Sequence, residues 1–150
     1  MLVVGPKLRK RLVYMPIVAL MVTSCGSSRQ ISKDPFSYLS QNTWVVTSIH
    51  GIGDLGSIYG TDTPYLNFEP DGITSGFTGC NNIIGAVSSF DNGFSIRRGA
   101  ATRRSCEGEG EKIFLDALGE VNTVEIEPEQ LIMINGTQEV MVFSVLQTTR

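Results

Sequence analysis

The chain has 150 residues, a length that predicts a single domain. It carries 12 Lys and Arg residues against 15 Asp and Glu residues, a formal net charge of −3. Because nucleic-acid binding needs a basic surface, this acidic balance argues against a nucleic-acid-binding protein. The three cysteines are an odd number, so disulfide pairs alone do not account for all of them.

The first 24 residues have the pattern of a secretory signal peptide. Four basic residues from Lys7 to Arg11 precede an apolar run, Leu12–Val22. This run is shorter than the roughly 20 residues that span a bilayer, and Pro16 interrupts it, which argues against a buried core helix. Residues 1–24 are therefore predicted to be removed. The remaining chain carries 8 basic and 15 acidic residues, a formal charge of −7.

The end of this segment, Val22-Thr23-Ser24-Cys25, resembles the lipobox of bacterial lipoproteins, although it departs from the commonest Leu-Ala-Gly pattern. The resemblance implies that Cys25 is acylated and becomes the mature N-terminus, since several acyl chains give firm anchoring. Residues 25–40 are then expected to be the lipidated cysteine and a polar tether, and residues 41–150 the folded domain. Because no acidic run linked to surface export follows Cys25, we expect an outer-membrane lipoprotein that faces the periplasm.

The two other cysteines, Cys80 and Cys106, would share an oxidising compartment, in which disulfides persist. We therefore predict a disulfide between Cys80 and Cys106, with two free buried thiols as the alternative. By loop-closure entropy such a bond would stabilise the fold by roughly 3.5 kcal/mol. It would tie the strand pair between the two cysteines to the start of the helix that follows.

The elements predicted in chain order are mainly short strands. Asp34 and Pro35 favour a short helical turn up to Leu39, with Asp34 as the N-cap. Eight segments rich in β-branched and aromatic residues follow, separated by turn residues. The predicted strands are Trp44–Ile49, Tyr65–Phe68, Ile73–Phe77, Ile84–Phe90, Phe94–Ile96, Val124–Ile126, Leu131–Ile134 and Val140–Leu146.

Turns and one helix separate these strands. Gly51–Thr63 holds four glycines and is predicted to be a loop, while Asp91-Asn92-Gly93 and Asn135-Gly136 are hairpin signals. One helix is predicted from about Gly108 to Gly119 or Val121, because apolar residues recur at helical spacing at Phe114, Ala117, Leu118 and Val121. Eight short strands with one helix predict a mainly β fold, a small antiparallel barrel or sandwich.

Two motifs along the chain are specific: S-G-x-x-G-C-N at residues 75–81 and T-x-x-x-C at residues 102–106. Together they resemble the motifs of the META domain, a family of heat-shock-induced bacterial envelope proteins, although the interior of the second departs from the usual Thr-Arg-Met-Ala-Cys. The resemblance covers about Trp44 to Val145. It implies a small antiparallel β-barrel-like fold with a helix after the T-x-x-x-C motif. The signature residues that carry over are Gly79, Cys80, Asn81, Thr102, Arg103 and Cys106.

The resemblance also implies a role in envelope stress, drug tolerance or secretion, and it carries over no catalytic residue. We interpret the signature residues as architectural, since Gly79 permits a positive φ and Asn81 can hydrogen-bond its own turn. The alternative is a recognition surface formed by Asn81, Arg103 and Arg104, because loop residues often carry function.

Other motifs give weak support for catalysis or cofactor binding. Gly51–Gly56 matches G-x-G-x-x-G after a strand, but Gly60 and Pro64 follow where dinucleotide binding needs a helix. A catalytic pair would have to use His50, the only histidine, and no G-x-S-x-G elbow exists. A zinc site formed by His50 and two cysteines would lack ligand-pair spacing. No catalytic residue, metal or cofactor is therefore predicted.

These features favour a non-catalytic, lipid-anchored envelope protein that serves as an accessory binding module in stress response, secretion or assembly. An apolar cleft or an exposed sheet edge would support a protein partner in the envelope. The alternative is a carrier of a small ligand or lipid, which a barrel interior filled by side chains would oppose. A hydrolase would need a nucleophile within hydrogen-bond reach of His50. Expected contacts are the membrane, through the anchor, and an envelope protein.

Overall fold

The computed structural model describes residues 35–88 and 93–146. The predicted signal peptide, Cys25 and most of the predicted tether lie outside these residues. The strands are β1 (Thr43–Ile49), β2 (Tyr65–Phe68), β3 (Ile73–Phe77), β4 (Asn82–Ser88), β5 (Ser95–Ala101), β6 (Thr123–Ile126), β7 (Gln130–Asn135) and β8 (Gln138–Val145). The helices are α1 (Pro35–Leu39), α2 (Leu55–Tyr59) and α3 (Gly110–Glu120). Neither described segment contains a helix long and apolar enough to cross a membrane.

The eight strands form one antiparallel sheet in the order β5-β4-β3-β2-β1-β8-β7-β6. Strands that are adjacent in sequence pair as hairpins within β1–β5 and β6–β8, and β8 returns to pair with β1, with Trp44 opposite Val145. The predicted mainly β fold with eight short strands is therefore confirmed.

The sheet does not close into the barrel that the resemblance implies. Within the described residues β5 and β6 share no strand ladder and remain the two edges of the sheet. They approach each other where both begin, since the Phe94 N–H donates to the Asn122 carbonyl at 2.8 Å. The chain between them returns through α3, which packs against β5 and β8. The helix thus covers the opening that a further strand ladder would have to close.

Large side chains fill the space between the sheet and α3. Trp44, Phe68, Phe114 and Phe143 are each at most 2% exposed. The rings of Phe114 and Phe143 meet edge-on, with centroids 6.3 Å apart. The interior is a packed core, and this packing opposes the alternative of a ligand carried inside a barrel.

α1 belongs to the folded unit, although the prediction assigned residues up to 40 to the tether. Leu39 is fully buried, and its carbonyl accepts the indole N–H of Trp44 at 2.9 Å. The Tyr38 hydroxyl donates to the Pro128 carbonyl. Apolar burial and these two bonds hold α1 against the sheet, so the folded unit includes Pro35–Leu39, ahead of the predicted boundary at residue 41.

Two predicted segments are wrong in extent or type. β5 continues to Ala101 instead of ending at Ile96, because its polar and small residues are held by pairing with β4. Gly51–Thr63 is not a loop throughout, since it contains α2. Asp54 caps this helix by accepting the Gly56 N–H at 2.9 Å, and the glycines on either side obscured the helical pattern.

Of the two predicted hairpin turns, only the second lies wholly within the described residues. Asp91 and Asn92 lie outside the described residues, and β4 and β5 pair on either side of them, with Ser88 opposite Ser95. In the second hairpin Asn135 pairs with Gln138, so the two loop residues are 136–137, one position later than predicted.

Cys80 and Cys106 are joined by a disulfide, with Cα atoms 5.9 Å apart and a sequence separation of 26. Cys80 lies in the turn between β3 and β4, and Cys106 lies in the segment between β5 and α3. The bond therefore ties both ends of the β4–β5 hairpin together immediately before α3 begins.

Replacing both Cys80 and Cys106 with Ala should lower the free energy of unfolding by roughly 3.5 kcal/mol, because the unfolded chain loses its cross-link. Urea denaturation of the parent and the double variant measures this difference. Reductant should lower the melting temperature of the parent, and it should do the same for the control Cys25→Ser, which keeps the Cys80–Cys106 bond. It should leave the melting temperature of the double variant unchanged. A parent melting temperature that reductant leaves unchanged would contradict the prediction.

Candidate functional site

The residues Thr78–Asn81 form a tight turn between β3 and β4. The Thr78 N–H donates to the Asn81 carbonyl at 2.9 Å, and the Asn81 N–H donates to the Thr78 hydroxyl oxygen at 3.0 Å. Gly79 has a φ of +92°, a conformation that residues with side chains rarely adopt. This turn positions the S-G-x-x-G-C-N motif against the segment that follows β5.

The Asn81 side chain is buried and uses its full hydrogen-bonding capacity. Its oxygen accepts from the Thr102 hydroxyl at 2.9 Å and from the Arg104 N–H at 2.7 Å. Its amide donates to the Arg104 carbonyl at 3.2 Å and to the Glu111 carboxylate at 3.0 Å. Asn81 thereby joins the turn, the segment after β5 and the first turn of α3.

Glu111 holds the start of α3 against this turn. One of its carboxylate oxygens accepts from the Thr78 hydroxyl at 2.6 Å, and the other accepts from the Asn81 amide at 3.0 Å. A carboxylate in the first helical turn is also favoured by the helix dipole. Sequence reasoning missed Thr78 and Glu111 as site residues, because no local pattern relates two residues 33 positions apart.

Tyr59, at the end of α2, packs between Gly79 and Gly110. A Cβ on Gly79 would lie 2.7 Å from the Tyr59 ring, and a Cβ on Gly110 would lie 2.8 Å from it. The Tyr59 hydroxyl donates to the Gly110 carbonyl at 2.8 Å, and burial raises the pKa of Tyr59 to about 12, so the phenol remains a donor at neutral pH. The prediction missed Tyr59; the i, i+4 spacing of Leu55 and Tyr59 after Asp54 was the available signal.

The structure brings five of the six signature residues together: Gly79, Cys80, Asn81, Thr102 and Cys106. Arg103 takes no part in these contacts. Its side chain and that of Arg104 are exposed and make no hydrogen bond or ion pair with another described residue. Because Asn81 is buried and fully bonded, it is not accessible to a partner, and only the two arginines remain of the recognition surface considered from the sequence.

A surface depression of about 440 Å³ lies over the disulfide and is lined by both arginine and carboxylate side chains, including Arg104 and Glu107. In residues 35–88 and 93–146 no group of three or more His, Cys, Asp or Glu side chains is arranged to hold a metal ion. His50 is exposed and its ring contacts the Gln138 amide at 3.2 Å, with no serine or cysteine among its hydrogen-bond partners in the described chain.

Replacing Asn81 with Ala should destabilise the fold by about 3 kcal/mol, because its side chain makes four partly buried hydrogen bonds, to Thr102, Arg104 and Glu111, which are lost together. Asn82→Ala is the matched control, since that side chain is exposed and its loss should change stability by less than about 0.5 kcal/mol. Urea denaturation of both variants gives the comparison. Equal stabilities of the two variants would contradict a structural role for the Asn81 side chain.

Three solved structures share this fold. A protein from Burkholderia xenovorans, solved by NMR, has 20% identity, with 83% of this chain and 97% of that chain covered and a TM-score of 0.55. A crystal structure of a DUF4847 family protein from Bacteroides vulgatus has 13% identity, coverage of 75% and 96%, and a TM-score of 0.54. Another protein solved by NMR has 18% identity, coverage of 73% and 93%, and a TM-score of 0.55. At these identities the likeness shows the fold alone.

No curated protein matches the chain significantly. The family model of the META domain matches residues 37–148, which include almost every residue that the structure describes. The match spans the turn, the disulfide and the hydrogen bonds of Asn81. The chain therefore belongs to the META domain family.

Proposed function

We propose that this chain is a non-catalytic, lipid-anchored envelope protein whose META domain is an accessory binding module for another envelope protein. A role in stress response, secretion or assembly follows from the family resemblance. The observation that carries the proposal is the outer face of β1–β4, the side of the sheet that faces away from α3. We call this surface the outer apolar face.

None of the residues in β1–β4 is charged. The solvated face of an antiparallel sheet ordinarily carries polar and charged side chains. Here Ile73 is 45% exposed and Ile84 is 56% exposed, and Ser75 lies opposite Ile84 in the β3–β4 pair. Exposed aliphatic side chains on an uncharged surface are typical of a contact site for another molecule.

Aromatic side chains extend the outer apolar face across β1, β2 and β3. Tyr65 lies opposite both Val45 and Phe77, and the rings of Tyr65 and Phe77 have centroids 6.1 Å apart. A shallow depression of about 730 Å³ runs beside them and ends at Leu146, which is 54% exposed. Aromatic residues beside a depression are the groups that most often anchor a protein partner.

Two features of the described residues favour binding over the other hypotheses. The packed core, with Trp44 and Phe143 fully buried, opposes a ligand in the interior. His50, the residue a hydrolase would need as a base, contacts the Gln138 amide instead of a nucleophile. These observations support a module that acts through its surface.

The proposed anchor would keep the outer apolar face near the membrane. Nine residues lie between Cys25 and Pro35, and an extended chain of these ten Cα-to-Cα steps reaches at most about 35 Å. A partner that docks on the domain would therefore be one that lies at the same membrane. We propose the periplasmic side of the outer membrane, because the tether carries no acidic run.

Replacing Cys25 with Ser should move the protein from the membrane fraction to the soluble fraction, because the acyl chains supply the membrane contact. Immunoblots of fractionated cells measure the distribution. Ser28→Ala, a small change three residues further along, should leave the protein in the membrane fraction. Sedimentation of Cys25→Ser with the membranes would contradict lipid anchoring.

A photo-reactive amino acid at position 84 should form one discrete cross-linked species in intact cells, because Ile84 lies in the outer apolar face. The same amino acid at Glu120, an exposed position on α3, should not form it. Ile73→Lys should suppress the species, while stability changes by less than about 0.5 kcal/mol. Equal yields at positions 84 and 120, or a yield that Ile73→Lys leaves unchanged, would contradict docking on this face.

A further inference from the structure

β5 is an edge strand: α3 contacts it, but no described strand pairs with its outer side. It pairs with β4 alone, and residues 95–101 make no backbone hydrogen bond to any other described segment. Every residue from Arg97 to Ala101 is exposed. Because Gly99 has no side chain, its exposure is that of the main chain itself. The N–H and C=O groups of this edge are therefore available to an added strand.

The cations of the described chain are concentrated in β5, in the segment that follows it and at the start of α3. All five lie from Arg97 to Lys112, and no acidic residue lies in residues 93–106. Lys112 pairs with Asp116 at 2.6 Å, whereas the side chains of the four arginines make no ion pair or hydrogen bond with another described residue. In a chain that is acidic overall, these four uncompensated charges form a surface that attracts anionic groups.

Small residues beside the arginines form two shallow surface depressions that can accept side chains of a bound segment. A depression of about 370 Å³ is bounded by Arg97 and Arg98 and contains Gly85, Ala86 and Gly99. A second, of about 230 Å³, lies over Ala100 and Ala101. The exposed Ile84 borders both depressions. Apolar side chains of a partner can therefore be buried next to the charged ones.

We infer that β5 binds an extended acidic segment of a partner protein as a ninth strand of the sheet. This inference rests on the proposed function and specifies its partner. Successive side chains of a strand alternate between the two faces, so acidic residues at alternate positions of the segment meet Arg97 on one face or Arg98 on the other. Each copy of β5 carries two positive charges, Arg97 and Arg98, which disfavours pairing of this edge with itself.

The test uses an acetylated eight-residue peptide of alternating Glu and Val, and a second peptide with Lys in place of Glu. Each is titrated into the full chain in detergent micelles while backbone amide signals and hydrogen exchange are recorded by NMR. The Glu peptide should slow exchange at residues 95–101 and bind at least about tenfold more tightly than the Lys peptide. Equal binding of the two peptides, or binding without protection at residues 95–101, would overturn the inference.

Charge reversal separates strand addition from general attraction. Arg97→Glu with Arg98→Glu should weaken binding of the Glu peptide by about tenfold or more. The matched control, Arg103→Glu with Arg104→Glu, changes the net charge equally but lies beyond the strand, and its effect should be below about threefold. Equal losses in the two double variants would assign the binding to general electrostatic attraction and overturn the inference.

Two further outcomes also decide the question. Sedimentation analysis shows whether the full chain forms a dimer. If both the double variant Arg97→Glu with Arg98→Glu and the variant Glu125→Lys break that dimer, the β5 edge pairs with β6 of a second copy, and the inference is overturned. A cross-link at position 84 without peptide binding would overturn the ninth-strand inference and leave the proposed function standing. Peptide binding with no cross-link at position 84 would instead count against docking on the outer apolar face.

Discussion

The hydrogen bonds of one buried side chain, that of Asn81, hold together three segments that are distant in the sequence. The Asn81 amide group bonds the segment after β5 through Thr102 and Arg104, and it bonds α3 through Glu111. Removing this side chain would break several partly buried hydrogen bonds at once, so its contribution to stability is larger than that of a single bond. The disulfide between Cys80 and Cys106 lies beside this side chain and reinforces the same connection.

The shape of the sheet depends on where this network holds α3. Glu111 and Tyr59 fix the first turn of the helix, and Phe114 then packs on Phe143 in the core. With the helix in that position, β5 and β6 approach only at Phe94 and Asn122 and remain open edges in the described residues. The signature residue Asn81 therefore contributes to the fold, since it helps to hold the start of α3 in this position.

The charges are unevenly distributed over the described surface. β1–β4 carry none, the segment from Arg97 to Arg104 is basic, and the hairpin from Glu125 to Glu129 is acidic. An uncharged face next to a basic edge can bury apolar side chains and pair with carboxylates of the same partner. This arrangement supports the proposal of a module that binds an extended acidic segment. The shallow depressions around Ile84 lie where small residues such as Gly85 and Ala100 line the surface.

The sequence by itself determined those features of the protein that local residue patterns encode. Turn residues and runs of β-branched and aromatic residues located all eight strands, the helical period located α3, and the two motifs identified the family. Tertiary structure decided the rest. β5 reaches Ala101 only because β4 pairs with it, and α2 forms in a stretch whose glycines argue against a helix. The contacts of Glu111 and Tyr59 and the open sheet depend on packing between residues about 30 or more positions apart, which leaves no periodic trace in a sequence.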